Sequence, residues 1–439
     1  MHCFRNGLCV CLVGFSLMGC TQDKKLPQGE RLSILDNASY EDVIDNSSIT
    51  SIPQAIINRD WDQNGRNTRH IVGNLKANTK LEKKWSNSFG SGVNKRDITI
   101  SQPVVYNNTI FVMDVKGLVS AYDLSSGDKL WENMLSTNTL GLKDTRSKAS
   151  GLAVSGDTLY ATTGFGGVFA IDRISGKPKW RKILDAPIRI APTIANNMLL
   201  IQTIDNKLHS LDKQNGEEIW RFGVASEDTV IVGGASPAFD EEENVVVAGF
   251  SNGEIVVINA NVGTPLWSEM LTSNNEVNST TNINTIGAYP IIENGTIYAI
   301  GNSDVLVALD MRTGDKLWKK EIGSMQDMLL VGDYLFVISN KNILYAIEKN
   351  EGSIIWSIDI KNYLYDNEKL NGEVYASHPI MVNGDILLTF SNGKIFKINA
   401  LKGILTAKID LDTDISNGLI IANDKIIAAS DNANVIVFQ

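Results

Sequence analysis

Through residues 80–439, short runs of apolar residues, many alternating with polar ones, are separated by clusters of Asn, Asp and Gly. This is the pattern of buried and half-buried strands joined by tight turns. Within it one frame recurs: a small or apolar residue, one position, Asp, Asn or Glu, three positions, Gly, three positions, Trp. It reads Ala121, Asp123, Gly127, Trp131; Ala170, Asp172, Gly176, Trp180; Ser210, Asp212, Gly216, Trp220; and Val257, Asn259, Gly263, Trp267. It continues as Ala308, Asp310, Gly314, Trp318; Ala346, Glu348, Gly352, Trp356; and Lys397, Asn399, Gly403, with Ala407 in the Trp position. Two further strand-like runs precede each frame, such as Pro103-Val104-Val105 and Ile110-Phe111-Val112-Met113. Each repeat is therefore expected to be four strands.

The chemistry of the frame fits the turn between the third and fourth strands. The carboxylate or amide accepts hydrogen bonds from turn N–H groups, and Gly supplies a positive φ. Trp brings a large apolar face to fill the space between neighbouring sheets. A four-stranded unit repeating every ~40–50 residues predicts an all-β propeller. The sequence ends with Val437 and Gln439 in the first and Asp positions of an eighth frame, short of its fourth strand. Leu81-Glu82-Lys83-Lys84-Trp85 supplies the missing strand and its Trp. The expectation is eight four-stranded antiparallel blades over residues 80–439, closed by pairing the N-terminal strand with the last blade, which leaves no open edge there.

Ahead of the repeats, residues 1–19 carry one basic side chain, Arg5, and an apolar run too short to cross a bilayer. All four cysteines, Cys3, Cys9, Cys11 and Cys20, fall in the first twenty residues. The segment reads as a secretory signal, and Leu17-Met18-Gly19-Cys20 resembles the lipobox of bacterial lipoproteins. That resemblance implies removal of residues 1–19 and acylation of Cys20. A conventional signal peptide or an N-terminal anchor is the other reading. Residues 20–79 form a polar tether, with Trp61-Asp62-Gln63-Asn64-Gly65 and His70 expected to dock on the folded body.

The remaining composition excludes more than it proposes. Forty basic residues against fifty acidic ones give a net charge of −10, and no Lys/Arg-dense stretch could neutralise a run of phosphates, which argues against nucleic acid. Four scattered histidines, His2, His70, His209 and His378, show no metal-ligand spacing, so no metal is expected. Neither a nucleophile elbow nor a phosphate-binding loop is present; Gly164-Phe165-Gly166-Gly167 reads as a turn before a third strand. Asp240-Glu241-Glu242-Glu243 reads as a solvated hairpin tip, and the repeated Asp residues as scaffold.

The repeat resembles that of the eight-bladed propellers of the pyrroloquinoline-quinone type. In the dehydrogenases of that group a quinone and Ca²⁺ occupy the central channel near a cysteine pair. No Cys follows Cys20 and the blade tryptophans are already committed, so no cofactor and no catalytic residues are expected. Lipobox, tether and propeller together resemble the BamB lipoproteins of the outer-membrane β-barrel assembly machinery. That resemblance implies a non-catalytic scaffold, lipid-anchored to the outer membrane and facing the periplasm of a Gram-negative bacterium. It also implies binding to the periplasmic domains of the barrel subunit BamA and assistance to nascent outer-membrane proteins, with contact to the membrane through the lipid alone. The family's contact loop before the fourth blade falls on Thr229-Val230-Ile231-Val232-Gly233-Gly234-Ala235-Ser236-Pro237, giving Ile231, Val232, Gly233, Gly234 and Ser236 as partner-binding candidates. Val232 stands where enteric members carry an arginine, and residues around Thr285-Ile286-Gly287 replace an acidic pair. The alternative, that Ile231 and Val232 begin an inner strand, stands beside this one, as does a propeller that binds some other envelope protein.

Overall fold

The computed structural model describes residues 48–94, 100–135, 149–225, 234–272, 284–364 and 374–439. Their strands form eight sheets. In the first blade Val104–Tyr106, Thr109–Met113, Leu118–Asp123 and Lys129–Met134 pair antiparallel from the axis outward. Six more blades repeat this order, beginning at Ala149–Ser155, Thr193–Ala195, Ala238–Asp240, Ile291–Glu293, Leu329–Val331 and Ile380–Val382. The eighth joins Ile420–Ala422, Lys425–Ala429 and Asn434–Phe438 to Lys83–Ser88. Trp85 lies opposite Val437 there, as Trp131 lies opposite Ala121 in the first blade. The closure expected from the sequence is the closure observed. Lys361–Leu364 is the one α-helix among the described residues.

Burial follows position in the blade. The second strand Thr109–Met113 is almost wholly buried, whereas the outer strand Lys129–Met134 alternates between solvent and the neighbouring blade. The core is a ring of inter-blade layers, into which the repeated Trp inserts. Each Trp serves the next blade. Trp131 Nε1 donates to the carbonyl of Arg173 at 2.9 Å, and its ring lies on Gly176. The same pairing links Trp85 to Gly127, Trp180 to Gly216, Trp220 to Gly263, Trp267 to Gly314, Trp318 to Gly352 and Trp356 to Gly403. In all seven the indole N–H reaches the carbonyl just after the frame's Asp, Asn or Glu. A Cβ on any of these glycines would sit 2.6–2.9 Å from the ring. Within the turn, Asp123 Oδ1 accepts from the N–H groups of Ser125 and Ser126, each at 2.8 Å.

The missing Trp at Ala407 now has a reason. Its neighbour is the eighth blade, whose third and fourth strands come from distant parts of the chain. No Asp-to-Gly turn joins them, so there is nothing for an indole to cover. One expectation is corrected: Asp240 is not solvated but buried, held by Arg69 Nε at 2.9 Å, while Glu241, Glu242 and Glu243 are exposed. A carboxylate closed off from water needs such a cation.

Candidate functional site

The innermost strand of each blade presents a free edge to the propeller axis, and its N–H and C=O groups must find partners there. Residues 52–75 supply many of them. Trp61 exchanges both backbone hydrogen bonds with Val105 of the first blade, each at 2.8 Å. The Asp62 carbonyl accepts from Val154 of the second at 2.7 Å, and Gln63 Oε1 accepts from Ile194 of the third at 2.8 Å. The Thr68 carbonyl accepts from Phe239 of the fourth at 2.7 Å, and that of Arg69 from Ile292 of the fifth at 3.1 Å. From Trp61 to Arg69 the chain thus visits five blades in order. Asn74–Leu75 pairs in parallel with Met381 and Val382 of the seventh. Asn58 bonds Ile421 and Asn423 of the eighth, and Pro53 packs on Gly332 of the sixth. The expected docking segment is therefore a plug that touches every blade.

Local chemistry holds the plug in shape. Asn67 Oδ1 accepts from the N–H groups of Arg69 and Ile71, and Arg66 donates to Asn58 Oδ1 and the Val72 carbonyl. Gly65 takes a φ of 64° close against the His70 ring. His70 is buried, stacked on Tyr289 with ring centroids 4.3 Å apart, and its Nδ1 lies 2.8 Å from the Pro290 carbonyl. Burial pushes its pKa down to about 4 against the favourable pull of that carbonyl. The ring is neutral at pH 7, and Nδ1 donates. Burial also raises Asp62 to about 6, opposed by its own backbone N–H and helped by nearby Asp60.

At the lead-in ends of the inner strands the channel stays open as a cavity of about 210 Å³. Gln102, Arg189, Asp327, His378 and Asn417 line it, and Asn64 of the plug reaches its wall while donating to Ser236 Oγ at 3.1 Å. Asp327 accepts from the Tyr289 N–H at 2.9 Å, but burial still pushes its carboxyl up to about 7. Burial also lowers His378, to about 4, and lowers Arg189. Among the described residues no group of three or more His, Cys, Asp or Glu is placed to hold a metal ion. None of their helices is long and apolar enough to cross a membrane.

Of the partner-binding candidates, Ile231, Val232 and Gly233 lie outside the described residues, as does Cys20. Gly234 lines the cavity, where a Cβ would stand 2.8 Å from Ile190. Ser236 is buried, and its hydroxyl donates to the Ala191 carbonyl at 3.3 Å. Thr285 and Ile286 are buried as well. Sequence reasoning passed over Arg189 and Asp327, although each is a lone charge among apolar neighbours just ahead of an inner strand.

The family model described as outer membrane protein assembly factor BamB matches residues 115–358. An outer membrane protein assembly factor BamB of Yersinia pestis is 24% identical over 359 residues, covering 81% of this chain and 88% of that protein. One from Moranella endobia is 26% identical over 81% of this chain and 89% of its own length. Among solved structures, BamB from Moraxella catarrhalis superposes with a TM-score of 0.67 at 19% identity, over 82% of this chain and 99% of that one. Quinohemoprotein alcohol dehydrogenase from Comamonas testosteroni gives 0.68 at 13% identity, over 88% and 81%. Identities this low speak for the shared fold alone, and the fold is common to the assembly factor and the dehydrogenase. The family match spans more than half of the 439 residues, and the chain belongs to the BamB family of outer membrane protein assembly factors.

Proposed function

We propose that this protein is a non-catalytic scaffold of the outer-membrane β-barrel assembly machinery. It is anchored by a lipid on Cys20, faces the periplasm, and binds the periplasmic domains of a BamA-like barrel subunit while nascent barrels are inserted. The observation that carries the reading is the plug. Seven inner strands are bonded to one segment, which also packs through Pro53 on the turn after the sixth, so the ring is a stiff body with part of its axis filled by its own chain. A rigid body pre-organises its loops for docking and lowers the ordering cost of binding. Family membership supports the same reading, since the relatives are named for assembly of outer-membrane proteins. On the lead-in side of the fourth blade, the candidates Ile231, Val232, Gly233, Gly234 and Ser236 would form or support the contact. Several acyl chains give the anchoring that one chain does not.

The test is affinity purification from gently solubilised envelopes. Recovery of a large barrel protein with tandem periplasmic domains is the expected result, and its absence would refute the partner. Cys20→Ala should shift the protein from the membrane to the soluble periplasmic fraction; continued retention would refute the anchor. Quinone- and Ca²⁺-dependent dye reduction with alcohols would overturn the non-catalytic reading.

A further inference from the structure

We infer that the cavity at the lead-in end of the channel is a binding site for a peptide segment bearing one acidic and one basic group, the acidic group on Arg189 and the basic group on Asp327. Both side chains line the same cavity. Arg189 leads into the third blade and Asp327 into the sixth. Three steps round a ring of eight put them on well-separated walls. Among the described residues no carboxylate pairs with Arg189, and Asp327 receives one backbone N–H and no cation. Neither charge perturbs the other's titration: burial alone lowers Arg189, and burial against the Tyr289 N–H sets Asp327.

Arg189 and Asp327 are only partly withdrawn from water, but neither has a counter-ion among the described residues, so each keeps an electrostatic demand that a ligand group of opposite sign would meet. A single ion would satisfy one and leave the other. A ligand that carries both signs satisfies both, provided its charges are far enough apart to span the channel. The remaining wall fits a peptide between them. Gln102, Asn64 and Asn417 offer amide donors and acceptors of the kind that bond peptide N–H and C=O groups. The plug blocks the axis beneath, so the segment enters from the lead-in side and stops. The same chemistry is offered by a free peptide and by a loop of a partner protein. The inference stands without the scaffold reading, which concerns the identity of the partner.

The test uses the full chain and a panel of blocked peptides in which Glu and Lys are separated by zero to four glycines, read by titration calorimetry. Control peptides carry Gln for Glu or Gln for Lys. Wild type should bind at least one Glu/Lys peptide at least tenfold more tightly than either control. Arg189→Gln should lose the preference for Glu over Gln but keep that for Lys, and Asp327→Asn should do the reverse. Thermal melts of both variants check that they fold. Failure of every peptide to bind, or unchanged preferences in folded variants, would overturn the inference. Capture of the barrel subunit by the same variants separates the sources. Loss of capture together with peptide preference identifies a partner loop, and retained capture with lost preference identifies a free peptide.

Discussion

The inter-blade contact between Trp220 and Gly263 makes a quantitative claim. Gly263 has a φ of 73°, and a Cβ there would meet the Trp220 ring at 2.6 Å. The ring cannot easily retreat, because it is buried and its Nε1 donates to the Ala260 carbonyl at 2.7 Å. Gly263→Ala therefore pays twice: about 1–2 kcal/mol for a left-handed L-residue and about 1–2 kcal/mol more for the displaced indole and its weakened hydrogen bond. Gly295 is the internal control, with a φ of 77° and open space where its Cβ would go, so Gly295→Ala pays the first cost alone. With an unfolding entropy of about 2.1 cal/mol/K per residue, a fold of this size loses roughly 1.4 °C of Tm per kcal/mol. Calorimetry should place Gly263→Ala about 1.5–3 °C below Gly295→Ala. Trp220→Ala alone should cost about 3–5 kcal/mol. In the double variant the new methyl group enters the space the indole vacated, so the two costs should fall short of additive by about 1–2 kcal/mol. Equal melting of the two glycine variants, or strict additivity in the double, would refute the packing account.

Three further predictions concern the plug. Trp61→Ala empties a buried site, costs about 3–5 kcal/mol, and should speed hydrogen exchange at Val105, Val154 and Ile194, which donate to the plug, while outer-strand amides stay protected. Asp62 has a folded pKa of about 6 against 3.8, so the folded state holds its proton more readily and stability from this group is lost as pH rises through 6. Asp62→Asn should accordingly be more stable than wild type at pH 7.5, by up to about 3 kcal/mol, with the gap narrowing as pH falls below 6 and closed near pH 3.8 in a series of melts. Arg69→Met strands the buried Asp240 carboxylate; a loss of roughly 2–4 kcal/mol in urea titration is expected, restored in large part by Asp240→Asn on the same background.

The blades were legible because their defining contacts are local and repeat. Trp131 meets Gly176, and Trp318 meets Gly352, across one blade boundary each, and seven boundaries write the same Trp and Gly at the same spacing. The frame even located the closure, since Trp85 and Val437 keep it across most of the chain length. What it did not explain was Ala407, because the reason lies in the next blade's missing turn rather than in the repeat. The buried Asp240 was misread for a similar reason. An acidic run looks solvated until Arg69, far away in sequence, is found against it.

The plug shows why the site itself was harder to read. Its partners run from Val105 to Asn423, and most of its bonds use backbone atoms, which leave no periodic trace in the sequence. Only the apolar bulk of Trp61 and the cluster around it hinted at docking. Yet the plug decides how the channel can be used. It bonds the inner strands at their middles and at the turns that follow, as with Asn107 on Asp60 and Asn383 on Leu75. The cavity that remains is lined mostly by residues that precede those strands or open them, with Asn64 of the plug at its wall. Any ligand of the channel must then arrive from the lead-in side. Gly234, on the lead-in to the fourth blade, is part of that wall. Gly234 and Ser236, the described members of the segment proposed to meet a partner, thus line the same cavity that is proposed to accept a charged peptide, so a single loop inserted there could engage both.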